Sequence, residues 1–355
     1  MADTDAEVVR APATDRPALS DATTAILLGL REQARPEAAT LGWYAVLAPI
    51  YVAGVIFFWV DGTVSMGLMW SSLFLVILAL PASIITWRAS RWIPSAYAQL
   101  GWSPWRTVTA RVVRARAGLA TVEVEENGTF TAFEVRGLRA AHRSVIARTG
   151  ALWLVGPAAD GWAFARVDGS HEAFPARVRR KPLPPGAVSE PVAPAETSRR
   201  QARWLRSRVW RSQWLFLAAP LYSALYALGE PPFRWQKLAV HLGVVLLFVA
   251  WFPLSTRYRF GDLRLPNLVE AGEWTRAQAW AAPWEARLEG TAEATVTVRL
   301  DDGTTLTASL PNASVDLLGT VWDTGTLWFA GKPEAGKTMA AGFPGYPLLA
   351  VARLR

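Results

Sequence analysis

Cysteine is absent from this chain of 355 residues. That excludes disulfides, thiolate catalysis, Cys-ligated zinc and Cys-held iron–sulfur clusters. Histidine is scarce, at three residues. His142, His171 and His241 stand in no metal-ligand spacing such as H-x3-H or H-E-x-x-H, so no metal site is expected and solvated or capping roles are assigned to the first two. Charge is thin, at 19% Asp, Glu, Lys and Arg against about 25% in an average soluble protein. No G-x-S-x-G is present, and the paired carboxylates Glu125-Glu126 and Asp301-Asp302 sit beside turns, where acids are common anyway. No acid/base or nucleophile constellation can be read, no cofactor is implied, and the chain is expected not to be an enzyme.

What is abundant is apolar. Hydrophobic residues make up 52%, with 19 tryptophans. Four stretches lack Asp, Glu, Lys and Arg: residues 41–60, 64–87, 212–229 and 238–256. A bilayer-crossing helix needs about 20 such residues, so the stretches predict four transmembrane helices. Acids precede the first one, among them Asp3, Asp5 and Glu7, which is not the basic flank of a signal peptide. Residues 88–211 hold 21 Lys and Arg against 9 Asp and Glu, which predicts a multi-pass cell-membrane protein with cytoplasmic N- and C-termini. Trp43, Trp59, Trp87, Trp92, Trp210, Trp214 and Trp235 fall at span ends, where an indole sits at headgroup level.

The chain repeats itself once. Ala48-Pro49-Ile50-Tyr51 matches Ala219-Pro220-Leu221-Tyr222. Asn127-Gly128-Thr129 matches Asp302-Gly303-Thr304, and Thr149-Gly150-Ala151-Leu152-Trp153 matches Thr324-Gly325-Thr326-Leu327-Trp328. Each half reads as a transmembrane hairpin followed by a β module. Val108, Ala110 and Val112 alternate with polar residues, as do Val122 and Val124, and Val296, Val298 and Leu300. The Asn-Gly and Asp-Gly turns are hairpin signals. Later short strands are read at 152–155, 163–167, 327–330 and 348–352. The fold class is membrane α plus β: two duplicated transmembrane hairpins, four helices in all, with two small cytoplasmic SH3/OB-like β-barrels. The organisation is a cytoplasmic tail with a short helix capped by Asp21 (1–40), hairpin one and connector (41–104), β module one (105–180), a Pro-rich linker (181–198), a basic segment with hairpin two and connector (199–275), and β module two (276–355). Residues 1–19 are expected to lack fixed structure. This layout resembles a loose group of integral membrane proteins from high-GC Gram-positive bacteria, whose modules carry the same D/N-G-T hairpin, Leu-Trp strand and Gly turn. The resemblance implies a membrane location and no activity.

Four features bear on binding. Arg199, Arg200, Arg203, Arg206, Arg208 and Arg211 occur with Trp204 and Trp210 and no acid among them, and predict a lipid-facing cluster that attracts anionic membrane lipid. Nucleic acid is the rival ligand of such a cluster and is not expected, because adjacency to a span explains the arginines. Ala219, Ser223 and Ala227 form a small face for helix packing, within the chain or in a homo-oligomer. His241 is a candidate intramembrane polar site. Residues 331–338, Gly-Lys-Pro-Glu-Ala-Gly-Lys-Thr, match the phosphate-loop pattern G-x-x-x-x-G-K-[ST], but Gly342, Pro344, Gly345 and Pro347 follow too closely for the helix that loop needs. The favoured function is a non-enzymatic membrane protein whose modules bind a cytoplasmic protein partner. The alternatives are a small transporter or channel component, and an ATP-using enzyme through residues 331–338.

Overall fold

The computed structural model describes residues 9–35, 90–116, 118–126, 128–179, 189–210 and 257–355, with scattered helical positions between 50 and 88 and between 239 and 246. The chain forms two compact units, and both β modules lie in the first (Met1–Glu32, Trp92–Arg206, Gly261–Arg355). There α1 (Ala22–Gln33) and α2 (Ile93–Leu100) precede a barrel of β1 (Arg106–Arg116), β2 (Leu119–Glu126), β3 (Thr129–Arg136), β4 (Ala151–Val155), β5 (Trp162–Arg166) and β6 (Phe174–Val178). Helix α3 (Ala140–Thr149) lies between its third and fourth strands. The second half has a short α4 (Leu265–Val269), then β7 (Trp274–Ala281), β8 (Thr291–Arg299), β9 (Thr305–Ser314), α5 (Val315–Thr324), β10 (Thr326–Ala330), β11 (Thr338–Gly342) and β12 (Leu349–Leu354).

Both barrels are closed, antiparallel and six-stranded. The orders are β1-β2-β3-β6-β5-β4 and β7-β8-β9-β12-β11-β10, the same path twice. Alternation builds them: Val108, Ala110 and Val112 of β1 and Val122 and Val124 of β2 point inward, as do Val296 and Val298 of β8 and Leu306, Ala308 and Leu310 of β9. The connecting helix completes each core, with Val145 and Ile146 of α3 in the first and Leu317, Leu318 and Val321 of α5 in the second. An OB fold has five strands, and each barrel here has one more. In the second barrel the unexpected strands are β7, where Ala277 and Ala279 are the buried residues, and the Ala-rich β11.

The four transmembrane helices, the multi-pass cell-membrane location and the cytoplasmic termini expected from the sequence are corrected here. Among the described residues no helix is long and apolar enough to cross a membrane. Helix α1 has 12 residues, about 18 Å against a hydrocarbon core of about 30 Å. The helical run 194–210 is longer but holds five arginines. The four apolar stretches lie outside the described residues, apart from scattered helical positions such as Ile50, Phe57, Val60 and Leu246, which are exposed. Trp92, expected at a membrane interface, is instead buried, its ring 5.9 Å from that of Phe164. The N-terminal segment also differs from expectation. Val9 is buried in the core of the second barrel, and Ala18 N–H donates to the Ser103 carbonyl at 3.0 Å.

The duplication reaches further than the matched motifs. Thr24 of α1 donates through its hydroxyl to the His171 carbonyl in the β5–β6 loop at 2.8 Å. Ser198 of the helical run accepts from Gly345 N–H in the equivalent β11–β12 loop at 3.0 Å. Each of these loops also meets the other half's helix: Ser170 and His171 bond Asp316 of α5, and Tyr346 lies beside Arg148 of α3. The halves interlock reciprocally, as an isologous dimer would, within one chain.

Candidate functional site

Part of the arginine run is engaged in surface ion pairs. Arg199, Arg200 and Arg203 converge on Glu196 at 3.9, 3.3 and 3.7 Å, and Arg199 also reaches Glu270 at 2.9 Å. Glu196 stands one turn and two turns before its partners, a helical spacing legible in the sequence once residues 194–198 are read as helix rather than linker. Arg200 also donates to Ser144 of α3 at 3.1 Å. Arg206 is exposed and Arg208 half-buried. Arg211, the small face Ala219, Ser223 and Ala227, and His241 lie outside the described residues.

Residues 331–338 are the turn between two strands. Gly331 and Gly336 have φ of 91° and 83°, and Thr338 opens strand β11 rather than a helix. Their amides are already engaged, Gly331 N–H with the Glu273 carbonyl at 2.8 Å and Gly336 N–H with the Leu354 carbonyl at 2.9 Å, so they do not form a phosphate cradle. Lys337 pairs with Glu334 at 2.8 Å on the surface. Lys337→Ala is therefore expected to leave the thermal unfolding midpoint unchanged and to remove no nucleotide-analogue labelling. Labelling of the wild type that vanishes in this variant would refute the turn assignment.

A buried polar cluster has no counterpart in the sequence reading. Asp21 caps α1, its Oδ1 accepting from Thr23 N–H at 2.9 Å and from Thr24 N–H at 3.3 Å. Its Oδ2 accepts from Arg166 at 2.6 Å and lies 2.8 Å from His171 Nδ1. Nδ1 is also 3.2 Å from Arg166, but that group can only donate, so the shorter contact makes Nδ1 the donor to Asp21. His171 Nε2 faces Asp323 at 3.6 Å. Asp316 accepts from Ser170 Oγ at 2.7 Å and from His171 N–H at 2.5 Å. Burial pushes the Asp21 carboxyl upward, but the hydrogen bond and charge of His171 and the charge of Arg166 outweigh it and hold Asp21 well below the ordinary carboxylate range. The hydroxyls of Ser170 and Thr24 are both committed to other acceptors, so neither is presented to the imidazole as a nucleophile.

His142 is the other buried imidazole. It accepts from Arg139 N–H at 3.3 Å, a helix-capping role, and packs edge-on against Phe174 at 4.9 Å. Burial, with Arg139 and Arg143 alongside, keeps it neutral well below the usual histidine range.

Beside the Asp21 cluster lies a cleft of about 270 Å³. Its walls are the N-terminal segment from Arg10 to Thr23, Trp105 at the start of the first barrel, Arg166, and Trp322 and Asp323 of α5. No family model matches the chain, and no curated protein or solved structure is significantly similar to it. Trp322 is 76% exposed at the edge of the cleft, and Trp105 in its wall is 2% exposed. Among the described residues, no group of three or more His, Asp and Glu side chains is arranged to hold a metal ion. Sequence reasoning missed the site because its parts come from residues 10–23, 105, 166, 171 and 316–323, which share no motif.

Proposed function

We propose that the chain is a non-enzymatic binding protein, whose paired barrels form a rigid platform for a protein partner at the cleft beside α5. The observation that carries this reading is Trp322, exposed on a helix that is otherwise mostly buried and lining the same cleft as Arg10, Arg16 and Arg166. Trp and Arg are the residues most often found to dominate binding energy at protein interfaces. Closure of both barrels removes free strand edges, so a partner is gripped by side chains rather than added as a strand. The engaged hydroxyls around His171 speak against hydrolytic chemistry. The arginine run, much of it bridged by Glu196 and Glu270, is not needed for this reading.

A photo-crosslinking residue in place of Trp322 is expected to capture one discrete partner in living cells. The same residue in place of Trp102, which is 84% exposed but lies outside the cleft, should not capture it. Arg16→Glu should abolish the adduct at 322. Identical capture patterns at both positions would sink the proposal.

A further inference from the structure

We propose that the cleft is an oxyanion site, taking a carboxylate or phosphate group between Arg10, Arg16 and Arg166 with the Trp105 indole in its wall. This deepens the binding-platform reading and rests on it for the choice of cleft. Of the two carboxylates in the wall, Asp21 is saturated: both oxygens are already bonded, by two helix amides, Arg166 and His171. Asp323 is turned to His171. Arg10 and Arg16 are exposed and, among the described residues, have no ion-pair partner. Arg166 is buried, and its contacts to Asp21 and His171 leave part of its five N–H groups over. Trp105 adds an independent observation, for its Nε1–H is buried with no acceptor. Native structures leave few such donors, and each stranded one costs about 1–3 kcal/mol. Arg10 and Arg16, unpaired among the described residues, and the orphaned Trp105 donor give the cleft wall donor capacity, and three guanidinium groups against two carboxylates leave it net positive. A planar or tetrahedral oxyanion satisfies both conditions.

The chemistry has two sources: a free small anion, or an acidic or phosphorylated side chain of the partner. Calorimetric titration of the full chain with inorganic phosphate and with succinate tests the first. Titration with a capped tripeptide carrying a central phosphoserine tests the second. Sodium chloride at matched ionic strength is the control in each. Saturable binding of at least one probe at one site per chain is expected, with the stronger probe naming the source. Arg16→Gln and Trp105→Phe should each weaken it about tenfold, the change that loss of one charge-assisted or buried hydrogen bond brings. Arg16→Gln alters an exposed side chain, so it keeps the test valid if Trp105→Phe disturbs the fold. Absence of saturable binding by every probe, or affinities unchanged in Arg16→Gln, would overturn the site. If crosslinking at 322 persists in that case, the platform reading stands and only the oxyanion assignment falls.

Discussion

Asp21→Ala is expected to lower stability by about 3–5 kcal/mol, the cost of breaking a buried pair from one side. The Arg166 side chain is only 4% exposed, so losing Asp21 leaves a guanidinium in the interior without its counter-charge. The helix cap goes with it, a loss of about 0.5–2 kcal/mol in isolation that need not add in full. Asn caps helices as well as Asp does, so Asp21→Asn retains the amide acceptor and removes the charge. It should recover only the smaller, capping part of the loss. Chemical denaturation of both variants measures the split.

The pH dependence follows with a definite sign. The Asp21 carboxyl is depressed in the folded state relative to its unfolded value of about 3.9. Between those two values the unfolded chain binds the proton and the folded one does not, so stability rises with pH. The contribution of Asp21 is complete above the unfolded value and is lost as pH falls through the folded one. The stability difference between wild type and Asp21→Asn should be level near neutrality and shrink in acid below about pH 4. A difference that stays constant into that range would show that the ion pair does not hold α1 in place.

Gly169→Ala is expected to be nearly as damaging, through the junction of the two barrels. Gly169 has φ of 73°, a region that costs an L-residue about 1–2 kcal/mol. An added Cβ would also lie 2.8 Å from Tyr346 Cε1 and closer still to Cδ1. Tyr346 packs against the cores of both barrels and donates to Asp168 at 3.2 Å. Burial and the Asp168 charge push its phenol up to about 12, so it remains a donor at any ordinary pH. Forcing that ring aside adds about 1–3 kcal/mol, the usual cost of overpacking. The total, about 2–5 kcal/mol, is a large part of a typical domain's stability. In a Tyr346→Ala background the same glycine substitution should cost only the backbone share, which a double-mutant cycle measures. Equal costs in both backgrounds would mean that the loops do not meet as described.

Much of this architecture is legible in the sequence. Val108, Ala110 and Val112 alternating with polar residues, the Asp302-Gly303 turn, and the Thr-Gly-x-Leu-Trp motif present twice announce two β modules from one duplication. These signals are local: side-chain alternation and turn chemistry act over a few residues, so a short window carries them. The Asp21 cap of α1 belongs to the same class. The apolar content of residues 41–60, 64–87, 212–229 and 238–256 is equally plain, yet hydropathy fixes only what a segment avoids. It does not fix which helices form or how long they run, and the described helices are short or basic.

Other features were decided by the tertiary structure. Strands β7 and β11 carry alanines where a strand pattern wants branched residues, because small side chains let neighbouring elements approach closely, and only the closed barrel supplies those neighbours. Three arginines of the run pair with Glu196, and one of them also with Glu270 some seventy residues away. The cleft assembles Arg10, Trp105, Arg166 and Trp322 from four separate parts of the chain. Burial, pairing and the orphaned indole of Trp105 are properties of that assembly, since a charge or donor is satisfied or stranded only by what folding brings beside it.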